Sequence, residues 1–209
     1  MKRTVICVSH ATGASGTELG RLVADRLGFR LVDEEIVTRA AENQNVSVSE
    51  LADVERRKSL LSRILREVAV GAATGPAELF VTAYAAEPQP DKNSLRALIR
   101  QSINETADEG NVVIVSHAAS YALADRDNVL RVLVTASPEN RVRRLAEASS
   151  NDNRQATKSI GAEDAGRADY LKRFYGVAAE LPTHYDVVVN TDRIPADQWS
   201  EIVVNAAAL

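Results

Sequence analysis

The sequence predicts an α/β protein built on one mostly parallel sheet with helices on both faces. Three observations carry this expectation. Short, largely β-branched apolar runs recur at Val5–Val8, Val112–Val115, Val129–Val134 and Val187–Val189, and unbroken runs of this length suit strands buried on both faces. Between them lie stretches whose apolar residues repeat at helical spacing, so strand and helix alternate along the chain. The first run passes into a loop of small residues, Gly13-Ala14-Ser15-Gly16, and then directly into a helix. In open sheets of this kind ligands bind outside the carboxyl ends of the strands, where this loop lies.

Bulk composition narrows the class. A chain of 209 residues with 45% hydrophobic and 26% charged content can bury one sizeable core, which excludes disorder for most of its length. Its 25 basic and 29 acidic residues leave a net charge of −4, against the basic excess of a dedicated nucleic-acid binder. Cys7 is the single cysteine and lies inside the first apolar run, so it forms no intrachain disulfide and reads as a buried, inert thiol. No apolar run approaches the roughly 20 residues needed to span a bilayer, and the run behind Met1-Lys2-Arg3 is too short for a signal peptide. A cytoplasmic protein without a membrane partner is expected.

The elements follow in order. Val5–Val8 is the first strand; Leu19, Leu22, Val23 and Leu27 mark the first helix, which Gly28 stops. Phe29–Asp33 is a second short strand ending in acid, and 34–42 reads as helical. From about 43 to 109 the character changes: Leu60, Leu61, Ile64, Leu65 and Val68 form an apolar stripe, either core or a subunit contact, and Leu95, Leu98, Ile99 and Ile103 another. The α/β pattern returns with the strand at Val112 and the strand at Val129. Ser137-Pro138-Glu139 then reads as a helix cap with proline in the first turn, and Arg141–Ala148 as the helix body. Ser149–Gln155 is polar and without periodicity. Ala162–Tyr175 is a charged helix, His184–Asn190 the last strand, and a helix from about Pro195 closes the chain.

Strand, small-residue loop and helix are how a backbone phosphate site is built: small residues let N–H groups converge on an anion, and the helix N-terminus adds partial positive charge. Together with this stretch, Leu31-Val32-Asp33, Thr135–Arg144, Asp164–Tyr170 and Tyr185–Asn190 resemble, in order and spacing, the cytidylate-kinase-like branch of the P-loop nucleoside monophosphate kinases. The resemblance runs from Val5 to the last helix. It implies a three-layer P-loop kinase-like fold with about five parallel strands, as a single domain over 1–209. That domain comprises a core of 1–42 and 110–209, a helical insertion of about 43–109 and a lid of about 149–163.

The same resemblance implies ATP and Mg²⁺ as cofactors and a nucleotide or other small molecule, with a pyrimidine nucleotide foremost, as the acceptor. Gly13, Ala14, Ser15, Gly16, Thr17 and Glu18 would line the cofactor's phosphates, and the hydroxyl of Thr17 or of Ser15 would face the metal. Arg141 and Arg144, three apart on one helix, would reach a common phosphate cluster, with Arg143 directed away. Arg154 joins them from the lid as a catalytic candidate. Asp33 is a further catalytic candidate and one for metal or substrate binding, or a helix N-terminal charge. His117 and Arg167 are candidates for substrate binding. Asp164 with Arg167 and Asp169 with Arg173 also read as ordinary helical pairs, and Tyr170, Phe174 and Tyr175 as packing residues.

Departures from the family pattern define the alternative. Gly16 stands where the wider class has its loop lysine, and His10 and Ser15 stand where it has glycines. The branch's Gly-Ser-Gly-Gly-Arg-Glu is matched by Gly13–Glu18 with Thr17 in the arginine's place, and its Gly-Arg after the third strand by Ser116-His117. Two cations that offset phosphate charge are thus absent, and loss of one such contact costs on the order of a hundredfold in rate. His10 and His117, each following a strand, are candidate replacements, while His184 reads as structural. An active kinase and a weak or inactive relative serving as nucleotide sensor or protein-interaction module both remain open, as monomer or homodimer. No zinc-ligand spacing and no nucleophile elbow is present.

Overall fold

The computed structural model describes residues 3–33, 36, 92–115, 118–149 and 152–209. The Leu60–Val68 stripe, most of the 43–109 insertion, and Ser116 with His117 lie outside these residues. In chain order the elements are β1 (Val5–His10), α1 (Gly16–Leu27), β2 (Arg30–Val32), α2 (Lys92–Glu109), β3 (Val112–Val115) and α3 (Ala119–Ala122). They continue with β4 (Val129–Thr135), α4 (Pro138–Ser149), α5 (Asn153–Tyr175), a 3₁₀ turn at Pro182–His184, β5 (Val187–Asn190) and α6 (Ala196–Ala207).

Five parallel strands form one sheet in the order β2-β3-β1-β4-β5. The central strand β1 pairs Val5 with Val112 on one side and with Val129 on the other. Alternation along the strands sends Val5, Cys7, Val112 and Ile114 to one face, where they pack with Ile99 and Ile103 of α2 and Tyr170, Leu171 and Phe174 of α5. Ile6, Val8, Val113, Val115 and Val132 point to the other face, against Leu19 and Val23 of α1 and Val203 of α6. Full burial of each such side chain contributes about 1.5–3 kcal/mol, so the sheet is held from both sides, as its uninterrupted apolar strands require. Tyr170 and Phe174 pack edge to face at 4.8 Å between ring centroids, in keeping with their reading as packing residues.

Helix termini match the sequence cues in most places. Gly28 ends α1 in the left-handed region, at φ 66. The exception is α5, which begins at Asn153 where the sequence suggested a helix only from Ala162. Asp152 caps it by accepting the Gln155 N–H at 2.7 Å, and Ala156 and Ile160, four residues apart, are its buried contacts there. These two positions are the helical periodicity ahead of Ala162, so the helix takes in the end of the polar stretch, from Asn153, and the residues that follow it. The last strand starts at Val187, three residues later than expected, because Pro182–His184 turns first.

Candidate functional site

Residues 11–15 leave the C-terminal end of β1 at the middle of the sheet and enter α1. Gly13 has φ 79, and a Cβ there would lie 2.6 Å from the Arg141 carbonyl oxygen, so the loop passes against the α4 backbone through a bare α-carbon. Ser15 also lies in the left-handed region, at φ 63, and its side chain does not cap α1. The first intrahelical bond runs from the Leu19 N–H to the Ser15 carbonyl at 3.0 Å, which leaves the amides of Gly16, Thr17 and Glu18 at the helix start without intrahelical partners. Thr17 and Glu18 are exposed, Ala14 and Gly16 buried. Bare amides, alternating backbone conformation and the α1 dipole fit an anion.

Two arginines of α4 are tied to this loop, one directly and one through Thr191. Arg141 donates from Nε to the Thr12 carbonyl at 2.6 Å and, in a bidentate pair, to Asp164 of α5 at 2.9 and 2.6 Å. Arg144 donates to the hydroxyl and carbonyl of Thr191 at 2.8 and 2.5 Å, and the Thr191 hydroxyl in turn reaches the Ala14 carbonyl at 3.0 Å. Their guanidinium groups thus point to different neighbours rather than to one cluster. Arg143 lies on the exposed side, bonded to Asn140 at 2.8 Å. The neighbouring Asp192 carboxyl is held below the usual carboxylate range, chiefly by the Ser137 backbone N–H at 2.8 Å and further by Asn140 at 3.0 Å.

Helix α5 closes over the same edge. Glu163 accepts the Thr12 hydroxyl at 2.5 Å, beside the Asp164 contact to Arg141. Arg167, one turn on, pairs with Glu180 at 2.6 and 2.9 Å and donates to Ser9. The local pair Asp164–Arg167 suggested by spacing is therefore not formed: each residue has a partner from another element. Asp169–Arg173 is formed, at 2.9 Å. Burial alone would raise the Glu180 pKa, but the hydrogen bonds and charge of Arg167, with hydrogen bonds from Tyr185 and Ser9, outweigh it and hold the carboxyl below its usual range. Burial, and then the Glu180 carboxylate, push the Tyr185 phenol well up. The Tyr185 hydroxyl bonds Glu180 and lies 3.2 Å from that of Tyr121, which meets His184 Nδ1 at 3.1 Å. His184 is thus part of the packing and hydrogen bonding of this region.

A cavity of about 250 Å³ lies between α5 and the end of β4, with Ala11, Thr135, Arg141, Asp164, Arg167 and Glu180 in its wall. Arg154 is exposed in the first turn of α5, ten residues and roughly 15 Å of helix from Asp164. Asp33 directly follows β2, which lies two strands and so roughly 10 Å from β1; its carbonyl accepts the Ile36 N–H at 3.2 Å. The structure gathers Gly13–Glu18, Arg141, Arg144 and Arg167 around the loop and leaves Arg154 and Asp33 apart; His117 lies outside the described residues. Cys7 is fully buried, and burial pushes its thiol up to about 12. No group of three or more His, Cys, Asp or Glu among the described residues is placed to hold a metal, and no described helix is long and apolar enough to cross a membrane.

Sequence reasoning missed Thr12, Glu163, Glu180, Tyr185 and Thr191. Their partners are 47 to 177 positions away along the chain, apart from the local links of Glu180 to Arg167 and Tyr185. The only available signal was the clustering of polar residues at strand ends.

Comparison with known proteins agrees with this architecture. The chain is 25% identical over 207 residues to a cytidylate kinase of Archaeoglobus fulgidus, covering 96% of this chain and 93% of the relative. In structure it is similar to an uncharacterized protein from Eubacterium ventriosum, with a TM-score of 0.65, 13% identity and 97% of each chain covered. It is also similar to shikimate kinase from Bacteroides thetaiotaomicron, with a TM-score of 0.53, 16% identity and 99% of each chain covered. The fold is the three-layer P-loop kinase-like α/β fold. Residues 5–193 match the profile of the cytidylate kinase-like family, and with the sheet order and loop position described above, the chain belongs to that family.

Proposed function

We propose that this protein binds a nucleotide at the 11–18 loop and transfers a phosphoryl group from ATP to a small acceptor, with a pyrimidine nucleotide the first candidate. The observation that carries this reading is the loop itself: left-handed Gly13 and Ser15 with the bare amides of α1, at the carboxyl end of the central strand. Gly13 to Glu18 would hold the nucleotide phosphates. Thr17, exposed in the first turn, would contact a Mg²⁺ ion, which when bound neutralises charge between phosphate oxygens. Arg141 and Arg144 border the loop, and Arg167, at the cavity wall, would meet the acceptor. Arg154 would approach with the first turns of α5, in the segment proposed as lid, while Asp33 and His117 would take part from the segments that follow β2 and β3.

A second reading is favoured by one feature of the same site. Arg141 is already satisfied by Asp164 and Thr12, Arg144 by Thr191, and no cationic side chain stands at Gly16 or Thr17. A protein so arranged binds nucleotide but transfers phosphate weakly or not at all, and acts as a sensor or interaction module.

Titration with MgATP, followed by a coupled transfer assay over a panel of nucleoside monophosphates, separates the two. Binding with turnover supports the kinase, tight binding without turnover supports the sensor, and absence of binding defeats both. Arg141→Ala and Arg144→Ala are expected to weaken MgATP binding more than Arg143→Ala; equal affinities for all three would remove the role assigned to the first two.

A further inference from the structure

Two departures of the loop from the glycine-and-lysine pattern are, in space, one exchange. A Cβ built on Gly16 would fall 2.3 Å from both Cβ and Cγ of His10 and 2.7 Å from its Cδ2. Hard-sphere contact forbids such separations, so the chain accommodates a side chain at 10 or one at 16, and not both. The G-x-x-x-x-G-K pattern takes the second option, with glycine at the position of His10 and lysine at that of Gly16. This chain takes the first. The imidazole therefore fills the volume from which a side chain at 16 would start, at the N-terminus of α1. His10 is partly buried there, with Nδ1 3.3 Å from the Ala11 carbonyl oxygen.

We propose that His10 is the side chain through which the loop contacts the phosphates of its ligand, acting from the strand end as a lysine acts from the helix start. This rests on the reading of the loop as a phosphate site. The chemistry suits the place: with Nδ1–H donated to the Ala11 carbonyl, imidazolium brings both a charge and a second N–H, at Nε2, for a phosphate oxygen. Among the described residues the bordering cations are engaged, Arg141 by Asp164 and Thr12 and Arg144 by Thr191, while Glu163 sets a carboxylate on the Thr12 hydroxyl. Gly16 is the obligate companion of His10.

Calorimetric titration of the full chain with inorganic triphosphate tests this. His10→Gln, which keeps a polar side chain of similar size, and His10→Ala are both expected to bind about tenfold more weakly than the wild type. Gly16→Lys alone gains nothing, because its side chain has no room; the double variant His10→Gly/Gly16→Lys, which restores the lysine pattern, binds at least as tightly as the wild type. In spectra of protein with ¹⁵N-labelled histidine, the signal that His10→Gln removes is expected to shift on adding triphosphate, while that of His184 stays in place. Affinities of the His10 variants within twofold of the wild type, or tighter, would overturn the inference and mark His10 as filler or plug; so would Gly16→Lys binding as well as the double variant. A wild-type protein that binds no triphosphate defeats the phosphate-site reading and the inference together. One that binds it regardless of residue 10 defeats the inference alone.

Discussion

Ser15 and Gly13 show how differently one backbone region treats two residues. Both have positive φ, 63 and 79, but the left-handed conformation costs an L side chain roughly 1–2 kcal/mol and costs glycine nothing. Ser15→Gly is therefore expected to stabilise the protein by about 1 kcal/mol, while Gly13→Ala, which adds a clash with the Arg141 backbone, destabilises it by at least about 2 kcal/mol. Urea unfolding midpoints check both, and the prediction fails if the two variants shift the midpoint in the same direction. At this scale the sequence was legible where a residue's role is local. Gly13 in a loop, Gly28 after a helix, Cys7 in a strand and the Asp169–Arg173 pair all stand as their neighbours suggested. Asp164 and Arg167 were misread for the complementary reason: spacing proposes a partner three residues away, whereas charge-assisted pairing selects Arg141 and Glu180, which only the fold brings near.

Among the elements, α5 contributes Glu163, Asp164 and Arg167 to the loop's surroundings from a single helix face, so its position sets theirs. Its start depends on Asp152, whose carboxylate takes one of the orphan N–H groups of the first turn. Asp152→Ala is expected to cost about 1 kcal/mol and to increase hydrogen exchange in 153–160 without changing that of β1; unchanged exchange there would mean that packing of Ala156 and Ile160 alone holds the helix start. This helix was half legible. Its second half carries Tyr170, Leu171 and Phe174 at helical spacing, whereas its first half buries only Ala156 and Ile160 amid charged and polar residues, too sparse a stripe to read as amphipathic. The strands were far more legible, because burial on both faces demands an unbroken apolar run.

For the whole molecule, the Ser9–Arg167–Glu180–Tyr185–Tyr121 network ties β1, α3, α5 and the segment before β5 together. The Glu180 carboxyl lies below its ordinary 4.5 in the folded protein, so its stabilising contribution is fully present above that value and is lost as the pH falls from there through the lower folded value. Glu180→Gln is expected to cost about 2–4 kcal/mol at pH 7 by leaving Arg167 without its charge partner, and the gap to the wild type should narrow as the pH drops below about 4.5. A gap independent of pH would show that the pair contributes through packing. The sheet order has another consequence, in time rather than in space. β1 is made first yet stands in the centre, and its neighbours β3 and β4 begin at Val112 and Val129. At about 5–20 residues per second the emerging chain carries β1 with both edges unpaired for roughly 5–20 s. The loop attached to it gains its contact with Thr191 only after that residue has left the ribosome. An apolar strand waiting that long is open to mispairing with other chains, so recovery of folded protein should depend on the nascent Val5–His10 segment being shielded until β3 and β4 have been made.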